Sequence, residues 1–149
     1  MARIFLILWM FLSICSAVKA ADVLPGPVPA EVLRVIDGDT VEVRARVWLN
    51  QEIAVLVRLA DVDAPEIRRA SCPGEKAKGF AARDVLADLI DASGGAVFLT
   101  DIRRGKYAGR VVAHLHGPDG ADLGDVLMRM GNVSAYSPGA GNAYCRAAD

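Results

Sequence analysis

At 149 residues, with 53% hydrophobic and 23% charged side chains, the chain has the length of one self-sufficient domain. Its 17 lysines and arginines against 18 aspartates and glutamates give a formal net charge of −1. That excludes a protein drawn to nucleic acid by its overall field; a polyanionic substrate would need a local basic patch and a bound cation.

The first twenty residues read as a leader. Arg3 is a short basic start, Ile4 to Ala17 is mostly apolar, and Val18-Lys19-Ala20 places small residues around a cleavable bond, the layout of a secretory signal peptide over 1–20. The apolar run is shorter than the roughly 20 residues of a bilayer span, which argues against an uncleaved anchor. Ile14 is bulky where lipidation at Cys15 would want a small residue. The expectation is export to the periplasm or the medium, with no stable membrane association after cleavage. Losing Arg3 and Lys19 makes the remainder more acidic by two charges. It also leaves Cys72 and Cys145 of the three cysteines, an even pair that invites a disulfide in an oxidising compartment, the alternative being two thiols. Such a bridge would contribute roughly 4 kcal/mol by loop-closure entropy. No Cys-x-x-Cys or Cys-x-x-His spacing offers a zinc site.

Pro25, Pro27 and Pro29 with Gly26 mark 21–30 as an extended linker, and 31–149 as the domain. Glu31 to Ile36 has a strand's composition and runs into the hairpin signal Asp37-Gly38. From Thr40 to Leu49, Val41, Val43, Ala45 and Val47 alternate with Glu42, Arg44 and Arg46, predicting a half-buried strand. Glu52 to Ala60 is a third strand, with Ile53, Val55, Val57 and Leu59 on one face and Arg58 on the other, stopped by Pro65. Between Gly74 and Ile90 the period becomes helical through Ala82, Val85, Leu86 and Leu89; Pro73 suits its first turn, and Gly94-Gly95 ends it. Ala96 to Ile102 and Tyr107 to His116 are strand-like around a basic turn at Arg103-Arg104-Gly105-Lys106. Leu123, Val126, Leu127 and Met130 make a second helix, and 136–149 reads as irregular. Five strands with one helix between the third and fourth and another after the fifth give a mainly β chain, the layout of the five-stranded OB-fold barrel; an α+β sandwich is the alternative.

The chemistry-bearing residues lie in two acidic turns and a basic segment. Asp-Gly-Asp-Thr (37–40) and Arg-x-x-x-x-Asp-x-Pro-Glu (58–66) supply carboxylates and a guanidinium, and Lys-Tyr-x-Gly-Arg, spread over 106–110, adds cations. Oxygen ligands from separate turns suit Ca²⁺, and arginine's fork matches two oxygens of a phosphate. Each piece also has an ordinary reading: Asp37 and Asp39 as turn formers, Asp61 and Asp63 as solvated strand-end charges, Arg58 as an exposed partner for either, and Arg103, Arg104 and Lys106 as a basic turn. His114 and His116 share a strand face without an evident third metal ligand, and Trp48 is open to base stacking or to packing.

Taken with Gly-Phe-Ala-Ala-Arg (79–83) and Leu-x-x-Met-Gly (127–131), these motifs occur in an order that resembles the staphylococcal-nuclease-like, or thermonuclease, family over about Glu31 to Tyr136. The resemblance implies an OB-fold hydrolase that cuts phosphodiester bonds of DNA and RNA with Ca²⁺, leaving 3′-phosphates; a preference for single strands and a monomeric state are expected. Carried over, Asp39 and Asp63 would give carboxylates and Ala64 a backbone carbonyl to the metal; Ala64 stands where the family often has threonine. Glu66 would be the general base, Arg58 and Arg110 the arginines that stabilise the transition state, and Lys106 and Tyr107 the contacts to a terminal phosphate and the nucleotide. Two residues, Ala108 and Gly109, separate Tyr107 from Arg110 where the staphylococcal type has a single glycine. The reading from another class is an OB-fold module that binds single-stranded nucleic acid or a protein without cutting it. A phosphodiesterase for a small phosphorylated compound is a third.

Overall fold

The computed structural model describes residues 23–138 and 143–145; the leader assigned to 1–20 lies outside them. In chain order the elements are β1 (Val23–Leu24), β2 (Val28–Asp37), β3 (Thr40–Trp48), β4 (Gln51–Leu59), β5 (Val62–Asp63), α1 (Pro73–Asp91), β6 (Ala96–Arg104), β7 (Arg110–His116), α2 (Leu123–Arg129), β8 (Ser134–Ala135) and a 3-10 turn over Ala143–Cys145. Antiparallel pairing joins β2 to β3, β3 to β4, β6 to β7 and β6 back to β2, while β4 and β7 run parallel. These five strands therefore close into a barrel, with α1 between β4 and β6 and α2 after β7. This is the OB-fold arrangement that the strand and helix order predicts.

Alternation decides which side chains fill the barrel. Val41, Val43 and Ala45 of β3, Val57 and Leu59 of β4, Val97 and Leu99 of β6, and Ala113 and Leu115 of β7 are all buried. Ala82, Leu86 and Ile90 of α1 and Leu123 and Leu127 of α2 join the same cluster. Each large member contributes about 1.5–3 kcal/mol by leaving water. Val47, expected on this face, is 46% exposed. A register shift lies between Arg46 and Trp48, and the β3–β4 hairpin outruns the core there, so Trp48, Leu49 and Ile53 are exposed too. Trp48 is thus not a packing residue.

Three local outcomes differ from expectation. The proline-rich stretch is extended but not a free linker: Val23 and Leu24 pair with Arg103 and Ile102, and Val28 to Glu31 pair with Leu99 to Ala96. Pro29 precedes the point where β3 joins at Ala30, an edge position that tolerates its missing donor. Strand β7 begins at Arg110 rather than Tyr107, because Gly105 N–H bonds back to the Arg110 carbonyl at 2.9 Å and turns the segment between them. Within the irregular C-terminal stretch, Tyr144 and Cys145 form part of a helical turn.

Candidate functional site

The β2–β3 turn and the β4–β5 turn meet over the end of the barrel. Thr40 pairs with Arg58 in the β3–β4 ladder, and the Leu59 N–H donates to the Asp39 carbonyl at 2.8 Å, so register brings the first acidic turn onto the second. Asp39 is buried. Its carboxylate accepts from Thr40 Oγ1 at 2.9 Å and from the Ala64 N–H at 2.9 Å, and lies 2.8 Å from the Arg58 guanidinium. The other terminal nitrogen of Arg58 donates to Asp63 Oδ1 at 2.7 Å. One guanidinium thus spans the two carboxylates expected to hold a metal.

Burial, reinforced by Asp37, raises the Asp39 carboxyl to about 6, against the opposing pull of Arg58 and the hydrogen bonds from Ala64 and Thr40. For Arg58, burial acts to lower the pKa but is outweighed by Asp39 and Asp63, so the net shift is upward and the guanidinium stays charged. Arg58 therefore offsets only part of what burial does to Asp39. A dehydrated carboxylate beside a second one on the same guanidinium offers oxygen ligands of the kind a hard cation such as Ca²⁺ takes. Ala64 meets Asp39 through its N–H.

Helix α1 seats both turns with small residues. Gly38 is held close by packing rather than by a left-handed backbone: a Cβ there would lie 2.6 Å from the Ala82 Cβ and 2.9 Å from the Ala64 Cβ. A Cβ on Gly79 would lie 2.7 Å from the Pro65 carbonyl oxygen and 3.1 Å from that of Glu66. This gives a physical reason for the Gly-Phe-Ala-Ala run of 79–82. Glu66 itself is exposed, and its N–H donates to Glu75 Oε1 at 3.3 Å.

Beside Arg58 opens a cavity of about 440 Å³ that takes in Arg103, Arg104, Lys106, Tyr107, Arg110 and Tyr136. The parallel pairing of β4 with β7 sets Leu56 opposite Arg110 and Arg58 opposite Val112, so the two arginines come from adjacent strands. The Arg110 guanidinium lies 5.1 Å from the centre of the Tyr107 ring, with Lys106 Nζ at 5.7 Å from the same ring. The additional residue between Tyr107 and Arg110 is taken up by Gly109 at φ +76°, and both side chains still reach one cavity. Among the described residues, Arg110 Nε is a buried side-chain donor with no hydrogen-bond partner.

His114 and His116 have partners that are not metals. His114 Nδ1 lies 2.7 Å from Asp122, the N-cap of α2, and its Nε2 lies 3.6 Å from Asp61; His116 Nε2 lies 2.9 Å from Thr100 Oγ1. Three residues at the site carried no role in the sequence reading. Tyr136 lines the cavity, an isolated aromatic without periodicity to announce it. Glu75 is buried, accepting from Glu66 and also from the Ser71 N–H at 2.6 Å. Cys72-Pro-Gly-Glu75 has capping-box spacing, with cysteine in the place of serine, and that was its signal. The Tyr144 hydroxyl donates to the Asp63 carbonyl at 2.7 Å. The Cys72 and Cys145 sulfurs stand at bonding distance, with Cα atoms 5.9 Å apart.

No family model matches the chain. An Escherichia coli protein described as an uncharacterized endonuclease is 31% identical over 114 residues, 76% of this chain and 65% of that protein. A Shigella flexneri protein described as a micrococcal nuclease is 35% identical over 136 residues, 84% of this chain and 71% of the relative. The chain thus spans just under two thirds of the length of the Escherichia coli relative.

Proposed function

We propose that this chain, which belongs to the staphylococcal-nuclease-like family, is an exported, calcium-dependent nuclease that hydrolyses phosphodiester bonds of DNA or RNA. The observation that carries the reading is the unpartnered, buried Nε of Arg110 in a cavity shared with Arg58. A buried donor without a partner costs about 1–3 kcal/mol, and a phosphate oxygen would satisfy it. Relatives described as an endonuclease and a micrococcal nuclease support the same class.

Asp39 and Asp63, with the Ala64 carbonyl, would hold Ca²⁺, which supplies positive charge beside the phosphate. Arg58 now spends both terminal nitrogens on those carboxylates, and would turn to the substrate once their charge is otherwise balanced. Arg58 and Arg110 then donate to the non-bridging oxygens, where charge grows as water adds, so they favour the transition state over the ground state. Glu66, exposed on the same turn as Asp63, takes the proton of the attacking water. The phosphorus gains the water oxygen and loses the 5′ oxygen, which takes up a proton from solvent, leaving a 3′-phosphate and a 5′-hydroxyl. Lys106 and Tyr107, which line the cavity, meet a terminal phosphate and the nucleotide. Single strands fit an open cavity with exposed Tyr107 and Tyr136 rings better than a stacked duplex does.

Incubation of purified protein with denatured DNA is expected to yield fragments in Ca²⁺ and none with a chelator. Glu66→Gln is expected to lose about 10²–10⁴-fold in rate with an unchanged melting temperature. A gel shift without fragments would establish the non-cutting module instead, and full activity in Glu66→Gln would remove the general base. The leader is checked by the N-terminus of protein recovered from the periplasm or medium, expected after Ala20.

A further inference from the structure

We propose that Glu75 and the Tyr144–Cys145 pair form a positioning frame for the turn that carries Asp63 and Glu66. The inference rests on the assignment of that turn to cation and water in the hydrolytic reading above. The segment from Asp63 to Cys72 is gripped at both ends by two consecutive residues. At its start the Tyr144 hydroxyl donates to the Asp63 carbonyl at 2.7 Å and lies 2.9 Å from Ser134 Oγ. At its end Cys72 is joined to Cys145, across a sequence separation of 73.

Between these anchors lies Glu75, 3% exposed. Its Oε1 accepts from the Glu66 N–H at 3.3 Å and its Oε2 from the Ser71 N–H at 2.6 Å; Cys145 Sγ lies 3.6 Å from Oε2. Burying a carboxylate is costly unless hydrogen bonds replace water. Here two of those bonds come from the turn's own backbone, one of them from the amide of the proposed base. A general base must stay within hydrogen-bond reach of its water, and a displacement of about 1 Å is enough to cost 10²-fold. Tyr144 and Glu75 are positioning residues in this scheme, since they reach the chemistry through Asp63 and Glu66.

The frame also has a thiol-dependent state. Two equivalents of an external thiol would reduce the Cys72–Cys145 bond, each sulfur leaving as a thiol while the reductant becomes its own disulfide. Tyr144 would then hold Asp63 without the Cys145 anchor next to it.

The test uses the full chain, with Tyr144→Phe, Glu75→Gln and the parent treated with dithiothreitol. Steady-state rates on denatured DNA in saturating Ca²⁺, well below the melting temperature, are read alongside amide exchange at Ala64 and Glu66. The expected result is a fall in kcat of about 10- to 100-fold with KM nearly unchanged, together with faster exchange at Ala64 in Tyr144→Phe and at Glu66 in Glu75→Gln. The reduced parent is expected to follow Tyr144→Phe. Folded variants whose kcat and exchange both match the parent would overturn the frame. If Glu75→Gln does not fold, Tyr144→Phe decides alone, because it removes one hydroxyl and leaves the cysteines in place. A parent that cuts nothing would sink the hydrolytic reading. Exchange would then decide the frame, supported by faster exchange at Ala64 in Tyr144→Phe and overturned by none.

Discussion

Asp39 carries two opposite pH dependences. Its carboxyl is raised to about 6 in the fold against 3.8 ordinarily, chiefly by burial. The stability linked to its protonation is therefore fully present below about pH 3.8 and is lost as pH rises through about 6. Cation binding needs the ionised form, so it runs the other way. In the metal-free protein the melting temperature is expected to decline between about pH 4 and 6 more steeply for the parent than for Asp39→Asn. Calorimetric Ca²⁺ affinity is expected to weaken about tenfold per pH unit below 6. Equal affinity at pH 5 and 7.5 would remove Asp39 from the ligand set. For Arg110, replacement by alanine is expected to cost about 10²–10³-fold in kcat without loss of fold, since its Nε has no partner to lose. Arg110→Lys should recover little, because an ammonium cannot present the guanidinium fork.

At the scale of elements, α1 acts on the site through the side chains it lacks. Gly→Ala inside a helix ordinarily gains about 0.5–1 kcal/mol. At Gly79 the new methyl would meet backbone oxygens of Pro65 and Glu66, and overpacking of that kind costs about 1–3 kcal/mol. The net expectation for Gly79→Ala is a lower melting temperature and a larger loss of cutting, because the displaced turn carries Glu66. Gly74→Ala, whose Cβ would meet nothing within 4 Å, is the control and should be neutral or mildly stabilising on both counts. The same scale shows what could be read beforehand. Period-2 runs in β3 and β4 and the 3.6 period of α1 located the barrel wall and its plug, because burial there follows strictly local alternation. Val47 escaped because a register shift at a hairpin tip leaves no mark on hydrophobic spacing. The acidic turns and Arg110 were legible as motifs, whereas the bonding of Arg58 to both Asp39 and Asp63 depends on a pairing register. Tyr144 was hidden for a related reason: its partner, Asp63, is distant in sequence and is contacted through a backbone oxygen.

Over the whole molecule, the proposed site draws on the closed barrel rather than on any one segment. Asp39 comes from the β2–β3 turn, Arg58 from β4, Asp63 and Glu66 from the turn beyond it, and Arg110 from the start of β7. The described residues contain no helix long and apolar enough to cross a membrane. A core substitution such as Leu59→Ala, next to Arg58 and fully inside the barrel, is expected to cost about 2–5 kcal/mol by urea unfolding. Its activity, assayed where the protein remains folded, should fall less than in Glu66→Gln.

The parallel seam between β4 and β7 sets an order of events in time. Its partners, Arg58 and Val112, are separated in the chain by β5, α1 and β6, so loop closure must be completed before their contact is rewarded. Helix α1 and the β2–β3–β4 meander join neighbours in sequence and carry no such delay. On dilution from denaturant, helical ellipticity should return ahead of the proposed DNA cleavage, and turnover would then serve as a clock for barrel closure.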